Sequence, residues 1–151
     1  MKYTLDIVIK VPLDICTKKL STTENMINWQ AGLISIEHVY GVPHDFGAKM
    51  KLNFKVEKCQ MSIIETITHK NLPHAFHCTY ATDIMDNIQE NHFTATSDNH
   101  TKWTSTNEFI PLNLKMRLML LLMPKTFKKQ SLRYMKDFKN FAEKGISVNH
   151  A

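Results

Sequence analysis

A change of period at Pro111 limits this chain's fold more than any other feature. Before it, apolar residues recur at every second position; after it they recur about every 3.6 residues. In AKMKLNFKVE, Ala48, Met50, Leu52, Phe54 and Val56 fall on one side, with Lys49, Lys51, Asn53, Lys55 and Glu57 on the other. A sheet built from such segments has one apolar and one wet face. Beyond Pro111 a stripe runs through Leu112, Met116, Met119, Leu120, Met123 and Phe127, then Ser131, Tyr134, Met135, Phe138, Phe141 and Ala142. That spacing predicts one long amphipathic helix ending at Gly145, kinked or restarted at Pro124. A sheet that curls around the helix buries both apolar surfaces at once.

The remaining elements follow from alternation and turn chemistry. Tyr3, Leu5, Ile7, Ile9 and Val11 are apolar at odd positions, with Lys2, Thr4, Asp6 and Lys10 between them, in a first strand that Pro12 ends. A helical turn up to Leu20 follows, and STTE at Ser21 to Glu24 has the spacing of a capping box opening a second short helix to Trp29. LISIEHVY is a second strand, GVPHDFG a reversing turn, and AKMKLNFKVE the third. Gln60 to His69, His74 to Thr82, Asn87 to Ser97 and KWTSTNEFI supply four more. The expected class is α+β: a seven-stranded curved antiparallel sheet around a long C-terminal helix, with two short helices between strands one and two. Residues 1–145 are expected to form one domain and 146–151 a tail.

Composition excludes several classes. Cys16, Cys59 and Cys78 fit neither a disulfide framework nor a zinc pattern, so they read as buried reduced thiols. Asp6 interrupts the apolar part of the N-terminus, unlike a signal peptide, and the expected location is cytoplasmic. Lys115 and Arg117 break LNLKMRLMLLLMP, which is too short to span a bilayer. No serine sits in a nucleophile elbow, and the glycines form no phosphate loop.

Trp29, Gly32, GVPHDFGAKM from Gly41, Glu65, HTKW from His100 and LMPKTFKKQSLRYMKDFKNFAEKG together resemble the SRPBCC superfamily, also called helix-grip or START-like. The resemblance runs from Lys2 to about Gly145 and looks most like the polyketide cyclase/dehydratase branch. It implies an elongated cavity between helix and sheet that takes a lipid, sterol or polyketide-like molecule, and says less about reaction than about fold.

Strand parity and helical phase nominate the residues around such a cavity. Phe54, Met61, Phe76, Tyr80, Phe93 and Trp103 share the concave face, opposite Met116, Met119, Leu120 and Met123 on the helix. Flexible, polarisable methionines suit a changeable content. Tyr80, Asn91, Ser105, Asn107 and Glu65 are the polar candidates. Glu65 follows Met61 and Ile63 in parity. It is either a carboxylate in an apolar cavity, raised in pKa and able to act as acid or base, or a residue that a register shift leaves solvated or paired with a lysine.

The eight histidines show no metal spacing, and His74 and His77 point to opposite faces of a strand, so neither metal nor cofactor is expected. Basic residues crowd the last helix from Lys125 to Lys139, either as a solvated face or as one for peripheral contact with anionic membranes; nucleic acid is not expected, since no such motif accompanies the charge. Leu114, Leu118, Leu121 and Leu122 form a second stripe, either covered by the short helices or the 41–47 loop or open to a membrane or second subunit, leaving a monomer or a homodimer. The leading reading is binding of a hydrophobic small molecule; the alternatives are a polyketide cyclase- or aromatase-like enzyme and an interaction module.

Overall fold

Seven strands form where the alternation places them, and all pair antiparallel in the order β1-β7-β6-β5-β4-β3-β2. The structure is a computed structural model that describes residues 1–149. Its elements are β1 (Lys2–Ile9), α1 (Leu13–Ser21), a 3-10 turn (Thr23–Asn25), α2 (Met26–Trp29), β2 (Leu33–Tyr40), β3 (Lys49–Val56), β4 (Cys59–Asn71), β5 (Ala75–Ala81), β6 (Met85–Ala95), β7 (Thr101–Pro111), α3 (Leu114–Leu122) and α4 (Pro124–Lys144). First and last strands pair because β7 returns beside β1, placing the start of α4 under the concave side of the sheet. This is the helix-grip arrangement.

The alternation of β3 holds for its first four apolar residues. Ala48, Met50, Leu52 and Phe54 are buried, while Val56, at the strand end, is exposed. Gly41 opens the β2–β3 turn at φ +79, where a side chain's Cβ would stand 3.1 Å from Ala48 Cα. The capping box does not form: Thr22, not Ser21, precedes the 3-10 turn, and its hydroxyl donates back to Lys18 O.

The terminal helix is two helices. Proline has no N–H to donate and its ring crowds the carbonyl four residues earlier, so α3 stops at Leu122 and α4 restarts with Pro124 in its first turn. Asn113 caps α3, its side-chain oxygen accepting the Met116 N–H at 2.8 Å. Gly145, at φ +69, closes α4 as the N–H donor to Phe141 O. The chain then folds back on α2, where Asn149 Nδ2 donates to Ile27 O and Gln30 O.

Helix α4 packs through Met135, Phe138 and Ala142. Phe138 meets Trp29 at 5.3 Å and Trp103 at 5.6 Å, both edge to face, and Trp103 stacks on Phe93 at 6.0 Å. Burying each of these rings contributes roughly 1.5–3 kcal/mol. On the rim, Tyr3 donates to Phe127 O at 3.0 Å, and Lys139 donates to Val8 O at 2.7 Å, tying α4 to the first strand. Cys16 and Cys78 are buried thiols, but Cys59 is exposed, because it opens β4 at the tip of the β3–β4 hairpin. No helix among the described residues is long and apolar enough to cross a membrane.

Candidate functional site

Concave-face residues of β3 to β7 cannot all reach α4, and a cavity of about 260 Å³ remains between them. Apolar walls come from Leu52, Phe54, Met61, Ile63, Trp103 and Phe109 on the sheet and from Phe127, Tyr134 and Met135 on α4. Its outer end reaches the β5–β6 turn through Thr82, Ile84 and Met85. A smaller hollow of about 30 Å³, room for one water, lies between the sheet and the α1–α2 segment. Trp29, Gln30, Tyr80, Gln89 and Trp103 border both.

The sequence-nominated residues separate by element. Phe54, Met61, Tyr80 and Trp103 line the larger cavity, Phe76 lines the smaller, and Phe93 lies beneath Trp103. Met116, Met119 and Leu120 lie on α3 and Met123 at its C-cap, and all four are absent from either lining. The break at Pro124 takes α3 out of the grip, so the helical wall is supplied by Phe127, Gln130, Ser131, Tyr134 and Met135 instead. Those five follow the break, and all but Gln130 belong to the same apolar stripe. Trp29 and Gln30 were not nominated either; they enter from the short α2, whose facing no period reveals.

A polar strip runs along β6 and β7 because Asn87, Gln89 and Asn91 share parity, as do Ser105 and Asn107. Gln89 Nε2 donates to Asn107 Oδ1 at 2.9 Å, Asn107 Nδ2 to Ser105 Oγ at 3.1 Å, and Asn91 Nδ2 to Gln89 Oε1 at 3.1 Å and to Phe76 O at 3.1 Å. Trp103 Nε1 donates to Asn91 Oδ1 at 2.9 Å. These amides satisfy one another, as buried polar groups must. Trp29 is the exception: it is 8% exposed, borders both hollows, and its Nε1–H finds no acceptor among the described residues.

Glu65 faces inward and is 3% exposed. The register shift in β4 falls between Ile67 and His69, past Glu65, so parity with Met61 and Ile63 is kept. Burial raises its carboxyl to about 7, only partly offset by a hydrogen bond with Tyr80, its cross-strand partner. Burial, then the charge of Glu65, pushes the Tyr80 phenol well up, so Tyr80 stays neutral. Cys78 is likewise raised by burial and Glu65, which makes it a poor nucleophile. Glu65 lines only the smaller hollow, whereas Tyr80 reaches both.

The convex face gathers His77, Glu90 and His92, whose ligating atoms lie within 4.8 Å of one another. Sequence spacing did not reveal this trio, because it comes from two strands. Asn91 N–H donates to His77 Nδ1 at 3.0 Å, occupying one of that ring's two nitrogens. Burial and the neighbouring His92 lower the His77 pKa.

No family model and no curated protein match this chain. Solved structures do match over nearly its whole length. A conserved protein from Geobacillus kaustophilus is 15% identical with a TM-score of 0.79, covering 96% of this chain and 97% of its own. Ara h 8.0201 is 14% identical at 0.74, and ginseng major latex-like protein 151 from Panax ginseng 13% identical at 0.71, each covering 94% of this chain and 97% of its own. At these identities the likeness is one of fold.

Proposed function

We propose, from the helix-grip fold that this chain shares with those proteins, that it is a cytoplasmic binding protein for one compact, mainly apolar molecule held between α4 and the concave sheet. The observation that carries this reading is the roughly 260 Å³, mainly apolar cavity between α4 and the concave sheet. Such pockets are usually about 300–1,000 Å³, so the volume suits a ring system or a short acyl chain better than a whole sterol or a two-chain lipid. Phe54, Met61, Tyr80 and Trp103 would supply sheet-side contacts, and Phe127, Tyr134 and Met135 those from the helix. Burial would drive binding at about 25 cal/mol per Å² of apolar area. The Gln30 and Gln130 side-chain amides on the lining would favour a ligand carrying an acceptor oxygen. Thiols that form no disulfide fit a reducing compartment.

The test is calorimetry with two probes of matched shape, 2-acetylnaphthalene, which carries a carbonyl, and 2-isopropylnaphthalene, which does not. Micromolar binding of the ketone is the expected result. Absence of binding by either probe, together with a purified protein that carries nothing in native mass spectrometry, would remove the ligand-binding reading.

The Glu65–Tyr80 pair favours a second reading, an acid/base catalyst of the cyclase or aromatase kind. A carboxyl near 7 is half ionised at neutral pH, and Tyr80 links it to the larger cavity. Incubation with an acyl thioester bearing alternating ketones would give a dehydrated ring, and Glu65→Gln would abolish it; equal yields with and without protein exclude this reading for that substrate.

A further inference from the structure

The outer side of α3 is an uncovered apolar strip. Leu114 is 79% exposed, Leu118 54%, Leu121 73% and Leu122 72%. At 100° per residue the four fall within about 100° of arc, with Met116 and Leu120 buried on the opposite side. Lys115 lies at one edge of that arc and Arg117 at the other. Neither the short helices nor the 41–47 loop covers it, and soluble monomers seldom leave such a strip bare.

Charge identifies what would cover it. From Leu112 to Lys136 the chain carries Lys115, Arg117, Lys125, Lys128, Lys129, Arg133 and Lys136, and no Asp or Glu. All seven are exposed, and none makes an ion pair among the described residues, where the salt bridge present is Lys139–Glu143. A second copy docked on this strip by symmetry would bring basic flank against basic flank. An anionic bilayer complements both parts: leucines enter the acyl boundary, and Lys115 and Arg117 extend their charged ends to the headgroups.

We propose that α3 is a monotopic docking helix that seats the protein on anionic membranes. The strip adjoins the cavity's outer end, since Leu112 N–H donates to Ile84 O at 2.9 Å and Ile84 lines the cavity. Docking would therefore bring that end to the lipid surface. The inference rests on the outside of α3, and it stands or falls apart from the ligand reading.

Vesicle flotation tests it, with phosphatidylcholine alone and with phosphatidylcholine doped with phosphatidylserine. The protein should float with the doped vesicles only, and should be released by high salt. Leu121→Ser combined with Leu122→Ser, and separately Lys115→Glu combined with Arg117→Glu, should each weaken binding by about tenfold or more. Both pairs should keep the wild-type Tm, because all four side chains are exposed. No flotation, or flotation unchanged in both variants, would overturn the proposal. So would sedimentation showing a wild-type dimer that becomes monomeric in the leucine variant, since a second copy would then occupy the strip.

Discussion

Trp103 donates its indole N–H to Asn91 Oδ1 across the β6–β7 pair at 2.9 Å, and both residues are buried. Asn91 also donates to Phe76 O and to Gln89 Oε1, so one side chain links three strands beneath the cavity. Replacing it with leucine, of similar size, strands the Trp103 donor and the Phe76 carbonyl together. Asn91→Leu should lose about 2–4 kcal/mol in urea unfolding, as expected when a buried network is half removed.

Trp29 is the contrasting case, because its N–H has no such acceptor among the described residues. Trp29→Phe removes a donor that is already unsatisfied, at the expense of some ring volume. The two effects oppose, and stability should change by about 1 kcal/mol or less. Because the N–H is shut off from the cavity surface, the ketone and hydrocarbon probes should change in affinity together, each by less than about tenfold. Parallel titrations of both probes against both proteins measure the two changes directly.

Phe138 forms the centre of the α4 contact, fully buried between Trp29 and Trp103. Phe138→Ala should cost about 3–5 kcal/mol, the range for deleting a core aromatic. Phe127 is only partly buried at the cavity, and truncating it should cost less and mainly alter ligand affinity. Denaturant midpoints paired with probe titrations distinguish a packing residue from a cavity wall.

Much of this arrangement could be read from the sequence because parity is a local property. Met50, Leu52 and Phe54 alternate with lysines and asparagine, and no tertiary contact was needed to tell which side is buried. The same rule extended to Asn87 and Gln89 would have joined them to the polar strip already nominated at Asn91 and Asn107. Helical phase was less informative. Leu112 to Ala142 forms one stripe on a helical wheel, but the break at Pro124 turns α3 away and gives the cavity wall to residues after the proline. Trp29 lay beyond either rule, because a four-residue helix has too few positions to display a period. The Glu65 ambiguity depended on where a bulge falls, and a bulge two residues further along β4 leaves no mark that alternation can register.

That bulge placement makes stability fall with rising pH. Glu65 has an ordinary carboxyl value of 4.5 when the chain is unfolded and about 7 when folded, the increase coming first from burial. Below 4.5 both states hold the proton, and the contribution favouring the folded chain is complete. Between 4.5 and about 7 the unfolded chain releases its proton while the folded chain keeps it, so unfolding gains ground with each pH step, and above about 7 the loss levels off. The difference between the two values corresponds to roughly 3 kcal/mol. Glu65→Gln, which keeps the shape and a hydrogen-bonding group but cannot ionise, should remove this slope and unfold at higher urea than wild type at pH 8, with the two converging near pH 4.5. Urea midpoints across that range check the sign, and a wild-type curve parallel to that of the glutamine variant throughout would mean that Glu65 is not held in the uncharged form.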